Sequence, residues 1–217
     1  GVAPFAPWYR LRESITSVVI GEGITELGLT CLGGLPNLTS IQLPTTMQVI
    51  GNGLQANNNN LASITMAGGG NDYFIVNGQV IVNKATGALA VCAPAVTGTV
   101  TIPDGTKSIP MMAMSAIGDI TVEIPDGLDE IQSCAFYDAN GFTVKFLGAP
   151  PASMTGMFDM AQNVTVQYPN TNAWTEDLLQ DYGGTNVTWS SYEMSVSNTC
   201  GENATWAIAD GVLTISG

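Results

Sequence analysis

Residues 121–131 read Thr-Val-Glu-Ile-Pro-Asp-Gly-Leu-Asp-Glu-Ile, and the pattern of their first four residues recurs at a fixed interval along the chain. Matching segments lie 22 residues apart at 99–102, 121–124, 143–146 and 165–168. Nearer the N-terminus the interval is 23 residues, with segments at 17–20, 40–43 and 63–66. The chain therefore contains seven copies of one short unit.

The alternation of residues within the unit predicts how the copies pack. Successive side chains of a strand point to opposite faces, so Val122 and Ile124 point inward while Thr121 and Glu123 point outward. No single copy can bury its inward pair, but strands stacked in parallel at about 4.8 Å bury all of them. A period of this length predicts a right-handed leucine-rich-repeat solenoid, with one parallel β-sheet and short helical or irregular turns on the convex side.

The inward positions form two predicted ladders of apolar side chains. The first consists of Val18, Ile41, Ile64, Val100, Val122, Val144 and Val166, and the second of Ile20, Leu43, Met66, Ile102, Ile124, Phe146 and Tyr168. At about 1.5–3 kcal/mol for each large apolar side chain buried, fourteen such positions are sufficient to drive stacking. Further along each unit, Cys31-Leu32, Ala113-Met114 and Ala135-Phe136 occupy matching places and are expected to fill the convex side.

The outward positions supply the candidate binding residues. A hydroxyl ladder consists of Ser17, Ser40, Ser63, Thr99, Thr121, Thr143 and Thr165. These residues also suit β structure and cross-strand hydrogen bonds, so this ladder has a structural explanation as well. A mixed ladder beside it begins at Val19, and its polar members on the concave face are the predicted contact residues Gln42, Thr65, Thr101, Glu123, Lys145 and Gln167.

Residues 67–98 interrupt the period, because Ser63 and Thr99 are 36 residues apart. The segment contains two β-rich runs, 73–76 and 79–82, separated by Asn77-Gly78. Asn-Gly between such runs predicts a hairpin with positive φ at both turn residues, and a third run at 88–92 could extend it. We expect an antiparallel element that projects from the third unit, either as a binding site through Tyr73 and Phe74 or as decoration of the stack.

Composition excludes several functions. The formal net charge is −13, with five basic residues and no histidine. Nucleic acid and anionic membranes are therefore not expected as partners, and the commonest general base and zinc ligand are missing. No apolar run approaches the roughly 20 residues of a membrane span. We expect no membrane insertion, no cofactor, no metal and no catalytic site.

The acidic residues do not form a predicted catalytic or metal site. Carboxylate-only hydrolysis needs two acids about 5–10 Å apart, and the outward ladders offer Glu123 alone. Asp104 and Asp126 each stand in a Pro-Asp-Gly sequence, which suits a tight turn. A calcium site is the alternative, but neither carboxylate has close acidic neighbours in the sequence.

The four cysteines are Cys31, Cys92, Cys134 and Cys200. Cys31 and Cys134 lie four units apart, roughly 19 Å, whereas a disulfide requires Cα atoms within about 7 Å. We expect the cysteines to be buried free thiols.

Both ends of the array need cover. Phe5, Trp8 and Tyr9 are expected to cap the first unit, with an aromatic ligand platform as the alternative. Met154, Met157 and Met160 are expected to fill an irregular core. A terminal helix within 169–189, carrying Trp174, Leu178 and Leu179 on one face, is expected to close the far end. The predicted organisation is an N-terminal cap (1–14), repeats 1–3 (15–66), a hairpin insertion (67–98), repeats 4–7 (99–168), a C-terminal cap (169–194) and a hairpin with a turn at Asp210-Gly211 that possibly starts another module (195–217).

Segments 15–25 and 124–136 resemble the BspA-like class of bacterial leucine-rich-repeat proteins, and the resemblance covers roughly residues 7–190. Ala6-Pro7-Trp8-Tyr9 is similar to the segment that leads into the repeats in such proteins from gut Firmicutes. Cys200-Gly201, Asn203 and Trp206 resemble the hairpin that normally begins these arrays. The resemblance implies a bacterial protein that is extracellular or at the cell surface, and its members with an assigned role are adhesins.

The leading hypothesis is a non-enzymatic recognition protein, expected to be a monomer, that binds a protein or an extracellular polymer. The alternative is a structural spacer that presents other domains on the bacterial surface. The Asn-x-Thr sequons at Asn37, Asn163, Asn186 and Asn203 would matter only in a eukaryotic secretory pathway and are taken as incidental.

Overall fold

The computed structural model describes residues 7–51, 53–194, 196–199, 205–209 and 212–216. Its strands are β1 (Ser17–Val19), β2 (Glu26–Leu27), β3 (Ser40–Leu43), β4 (Val49–Ile50), β5 (Ser63–Met66), β6 (Phe74–Val76), β7 (Val80–Asn83), β8 (Leu89–Cys92), β9 (Gly98–Thr101), β10 (Ser108–Ile109), β11 (Ile120–Ile124), β12 (Glu130–Ile131), β13 (Asn140–Phe146), β14 (Gln162–Pro169), β15 (Thr185–Tyr192), β16 (Val196–Thr199), β17 (Thr205–Ala209) and β18 (Val212–Ser216). Short 3₁₀ helices span Tyr9–Ser14, Ala67–Gly69 and Glu176–Leu178.

The strands stack in parallel, as the repeat predicts. Val100, Val122, Val144 and Val166 lie opposite one another on consecutive parallel strands. Both inward ladders are buried, except that Val18, Ile20 and Tyr168 are only partly covered. The solenoid fold is therefore confirmed, and a continuous apolar core runs along the stack.

The expected single sheet is divided into two. One parallel sheet has the order β1-β3-β5, and a second has the order β15-β14-β13-β11-β9. We refer to them as the three-stranded and the five-stranded sheet. Between them lies the insertion, an antiparallel sheet of order β6-β7-β8.

The insertion is packed into the core and does not project from it, contrary to the prediction. Val80, Ile81 and Val82 are buried, as are Leu89 and other apolar residues of β8. Uninterrupted apolar runs of this kind are typical of strands covered on both faces. The hairpin itself is confirmed by the β6–β7 pairing and its extension by β8. Its turn has positive φ at Gly78 but not at Asn77.

An eighth coil follows the seven predicted copies, and the expected terminal helix is wrong. Residues 176–178 form one short 3₁₀ turn, and β15 pairs in parallel with β14, placing Trp189 opposite Val166. Trp174 is buried, and its ring lies 4.8 Å from Phe146 and 6.0 Å from Trp189 between centroids. Its indole N–H donates to the Gly148 carbonyl at 3.0 Å. Aromatic side chains thus pack against the end of the five-stranded sheet.

The turns on the opposite side of each coil form what we call the turn face, at residues 29–34, 53–57, 111–116, 133–138 and 155–160. Left-handed backbone recurs there every 22 residues, at Met112, Cys134 and Gly156 and again at Ala116, Asp138, Met160 and Tyr182. Backbone N–H groups link successive turns, for example from Met112 to the Cys134 carbonyl at 2.9 Å. The predicted filling residues are buried there, including Leu32, Met114 and Phe136.

The two ends are covered to different extents. The Tyr9–Ser14 helix buries none of its residues, and Val19 of the first coil is 71% exposed. Trp8 lines an open apolar hollow of about 600 Å³ with Val18 and Ile20, while Phe5 lies outside the described residues. At the other end, β16, β17 and β18 form an antiparallel sheet, which confirms the predicted hairpin; the turn residues Asp210-Gly211 lie outside the described part.

The sulfur-containing residues follow the predictions with one exception. Cys31, Cys92 and Cys134 are free thiols, and burial raises the pKa of Cys92 to about 12. Cys200 lies outside the described residues. Met154 and Met157 fill the core, whereas Met160 is exposed.

Candidate binding surface on the parallel sheets

Four of the six predicted contact residues lie side by side. Register places Thr101, Glu123, Lys145 and Gln167 opposite one another on β9, β11, β13 and β14. Ser190 on β15 continues this row. The outer face of the five-stranded sheet thus presents five consecutive polar side chains.

The other two predicted residues, Gln42 and Thr65, pair on the three-stranded sheet. The insertion turn separates them from Thr101. The Ile64 N–H donates to the Gly78 carbonyl at 2.9 Å, and the Asn77 side-chain amide donates to the Thr101 carbonyl at 3.5 Å. The six residues therefore form two groups rather than one continuous ladder.

The charged pair in the mixed ladder is neutralised internally. Lys145 Nζ lies 3.0 Å from Glu123 Oε1, and the Thr101 hydroxyl donates to Glu123 Oε2 at 3.1 Å. Lys145 also lies 5.7 Å from the centroid of the Tyr192 ring. Burial raises the pKa of Tyr192, an effect that Lys145 opposes and Glu123 reinforces. This face therefore offers hydrogen-bonding groups rather than a net charge to a ligand.

The hydroxyl ladder continues into the eighth coil. Thr99, Thr121, Thr143, Thr165 and Thr188 lie in register across the five-stranded sheet. A shallow groove of about 310 Å³ runs beside the first three of them and is also lined by Asp119. The register of these hydroxyls gives the face a donor and acceptor group at every strand.

Asparagine side chains border the hydroxyl ladder at the beginnings of the last three strands. The Asn186 amide donates to Asn163 Oδ1 at 3.0 Å, and the Asn163 amide donates to Asn140 Oδ1 at 2.8 Å. Three coils are thus joined by a chain of side-chain hydrogen bonds. This row fixes the edge of the candidate surface.

Sequence reasoning missed Thr188, Ser190 and Tyr192 as members of this surface. A signal was present, because Thr188 follows Thr165 by 23 residues. The apolar-x-apolar pattern is obscured there, since Trp189 takes the place of a valine and Ser191 that of an apolar residue.

The insertion contributes less than predicted. The Tyr73 side chain is 46% exposed and remains accessible, but Phe74 is 1% exposed and packs in the core. The prediction that Phe74 contacts a ligand is therefore wrong, because the β6 side chain that follows Tyr73 points inward.

Catalytic and metal-binding arrangements were also sought. Within the described residues no group of three or more His, Cys, Asp or Glu side chains is placed to hold a metal ion. Asp126 accepts a hydrogen bond from the Ala149 N–H at 3.0 Å, which links adjacent coils. Among the helices of the described chain, none is long and apolar enough to cross a membrane.

The parallel coils and their buried ladders define a leucine-rich-repeat protein. The family model for the BspA type leucine rich repeat region (6 copies) matches residues 9–73 and 95–171, more than half of the chain. The chain belongs to this BspA-type family. The unmatched stretch between the two matches falls on the insertion, which explains why the repeat pattern stops there.

Three solved structures are similar to the chain. A leucine rich cell surface protein from Faecalibacterium prausnitzii A2-165 is 15% identical, with a TM-score of 0.46, over 82% of this chain and 61% of that one. A leucine-rich repeat protein from Eubacterium ventriosum ATCC 27560 is 15% identical, with a TM-score of 0.34, over 86% and 75%. Pneumococcal vaccine antigen PcpA is 13% identical, with a TM-score of 0.50, over 84% and 59%.

The likeness to PcpA supports the fold. The chain spans about three fifths of the length of the Faecalibacterium protein and of PcpA. No curated protein matches it.

Proposed function

We propose that this chain is a non-enzymatic recognition protein, extracellular or at the surface of a bacterial cell, that binds a protein or an extracellular polymer. The observation that carries the proposal is the pair of in-register polar rows on the five-stranded sheet. Thr101, Glu123, Lys145 and Gln167 stand beside a row of threonine hydroxyls. Such a flat array of donors and acceptors suits an extended partner better than a small substrate held in a cleft.

The nature of the partner follows from the charges. Because Glu123 and Lys145 pair with each other, the surface does not select for a strongly charged ligand. The net charge of −13 disfavours polyanions over the whole molecule. A neutral polymer or a polar protein surface is therefore the expected ligand class.

The test is binding to immobilised extracellular matrix proteins and to a glycan array. A triple variant, Thr101→Ala with Gln167→Ala and Ser190→Ala, should weaken any saturable binding at least about tenfold, since a tenfold change corresponds to about 1.4 kcal/mol and three polar contacts are removed. Circular dichroism should show unchanged folding, because these side chains point away from the core.

Two control variants locate the binding surface. Tyr137→Ala with Asp138→Ala alters exposed residues of the turn face and should leave binding unchanged. The charge-exchanged pair Glu123→Lys with Lys145→Glu keeps the ion pair but reverses its direction across the two strands. Saturable binding that neither the triple variant nor the exchanged pair alters would remove the five-stranded sheet as the site. No saturable binding to any probe would favour the spacer alternative.

A further inference from the structure

The turn face has a break where the insertion interrupts the coils. Elsewhere successive turns are joined by backbone hydrogen bonds, such as Gly34 N–H to the Ala56 carbonyl at 2.9 Å and Cys134 N–H to Gly156 at 2.9 Å. At the break, the turn at 53–57 faces the turn at 111–116. A side chain spans this gap, because the Gln55 amide donates to the Met112 carbonyl at 2.6 Å.

A cavity of about 400 Å³ lies at this break. No charged side chain lines it, and its apolar lining includes Leu29, Ile50, Leu89, Met111 and Met112. Leu29 is 73% exposed, Met111 60% and Met112 41%. Three large apolar side chains exposed around one cavity are unusual on a soluble surface and are typical of a binding site.

The cavity also contains an unsatisfied acceptor. Gln55 lines it and is 4% exposed, yet its Oε1 has no hydrogen-bond partner within the described structure. The fold satisfies the neighbouring buried amide fully: Asn58 Oδ1 accepts from Leu35 N–H, and its Nδ2 donates to the Leu32 and Leu54 carbonyls. A buried acceptor without a donor costs about 1–3 kcal/mol, so a ligand that supplies the donor recovers that free energy.

We propose that this cavity binds an uncharged aromatic ligand with one ring N–H, of the indole class, and that Gln55 Oε1 accepts that hydrogen. The uncharged lining excludes an ionic ligand, because a buried unpaired charge is costly. Two methionines at the cavity favour an aromatic ring, since sulfur–aromatic contacts are stabilising. This site lies on the turn face and is independent of the surface proposed above.

Ligand entry requires a local rearrangement. Gln55 Oε1 is shielded from solvent, so the ring reaches it by displacing a lining side chain. Met111 and Met112 can move at little cost because methionine has three rotatable side-chain bonds. Binding should therefore be reported directly by their methyl groups.

The experiment titrates the full chain, labelled with ¹³C at the methionine methyls, with indole and with benzofuran. Benzofuran has nearly the same shape but carries an oxygen in place of the N–H. Indole should shift the Met111 and Met112 methyl resonances saturably, and benzofuran should bind about threefold to tenfold more weakly, the range that one net hydrogen bond supplies. Assignment uses Met111→Leu and Met112→Leu.

Three variants test the assignment of the acceptor. Gln55→Met keeps the length of the side chain without its carbonyl and should bind indole and benzofuran equally. Gln42→Met makes the same change on the three-stranded sheet and should keep the preference for indole. Ala90→Phe places a ring in the cavity and should remove the binding of both compounds.

The outcomes that overturn the proposal are equally direct. They are no saturable shift of these two methyls with indole, equal affinity of the native chain for both compounds, or a preference for indole that survives in Gln55→Met. If Gln55→Met does not fold, the comparison of indole with benzofuran on the native chain and the loss of binding in Ala90→Phe decide the matter.

Discussion

The five-stranded and the three-stranded sheet are built from the same unit but differ in how well the unit is covered. In the five-stranded sheet, Val122 and Val144 each lie between two neighbouring strands and are completely buried. In the three-stranded sheet, Val18 lies on the first strand, has one neighbour and is only partly buried. The comparison shows that a residue of this repeat is stabilised mainly by the coils on either side of it.

The largest expected difference concerns the residues that fill the turn face. Phe136 is buried, with ring centroids 5.2 Å from Phe142 and 5.4 Å from Phe158, so Phe136→Ala should lower the free energy of unfolding by about 3–5 kcal/mol. Leu32→Ala, at the matching place of the first coil, should cost only about 2 kcal/mol, because that coil lacks a neighbour on one side. Urea denaturation followed by circular dichroism measures both, and equal losses would contradict the comparison.

The buried amide of Asn58 is the main polar support of the three-stranded half. Asn58→Leu leaves the Leu35 N–H and the Leu32 and Leu54 carbonyls without their partner, so it should cost about 2–4 kcal/mol. Asn60→Leu is the matched control, since the exposed Asn60 makes one hydrogen bond, to the Pro36 carbonyl, and should cost less than about 1 kcal/mol. Similar losses for the two variants would show that the buried network is not stabilising.

One ladder position can be compared directly between the two sheets. Val122→Ala should cost about 2 kcal/mol, the transfer free energy of two methyl groups plus a small cavity term. Val18→Ala should cost less than about 1 kcal/mol, because much of that side chain already contacts solvent. Thermal denaturation of both variants provides the test, and a Val18→Ala loss as large as that of Val122→Ala would mean that the first coil is covered in solution.

The ion pair of the five-stranded sheet should have the smallest effect. A double-mutant cycle with Glu123→Gln and Lys145→Met should give a coupling below about 1 kcal/mol that decreases in 1 M salt, since both side chains are partly exposed. Gln42→Ala, at the same ladder in the three-stranded sheet, should show no such dependence on salt. A coupling that is insensitive to salt would indicate a more deeply buried pair.

The extent to which the fold could be predicted depended on local pattern. The inward ladders were predictable because Val100, Val122, Val144 and Val166 recur at a strict interval and the period alone fixes their register. The eighth coil escaped notice because Trp189 occupies a valine position. Its assignment depends on the aromatic contacts with Trp174 and Tyr168, which are far apart in the sequence.

The insertion and the site show where local reasoning ends. Asn77-Gly78 predicted a hairpin, but the burial of β7 between other elements follows from tertiary packing that the turn sequence does not specify. The division of the mixed ladder between Thr65 and Thr101 has the same cause. The unsatisfied carbonyl of Gln55 could not be predicted at all, since it depends on a cavity formed by two segments more than fifty residues apart.

The repeated left-handed backbone on the turn face has a consequence for how such a protein changes its length. Met112, Cys134 and Gly156 hold the same conformation in three successive coils, so each coil leaves the chain in the geometry in which it received it. A gene duplication or deletion of one whole 22-residue block would preserve every turn and every junction. Size in this architecture is therefore adjusted in whole increments, each adding one strand and about 4.8 Å of reach.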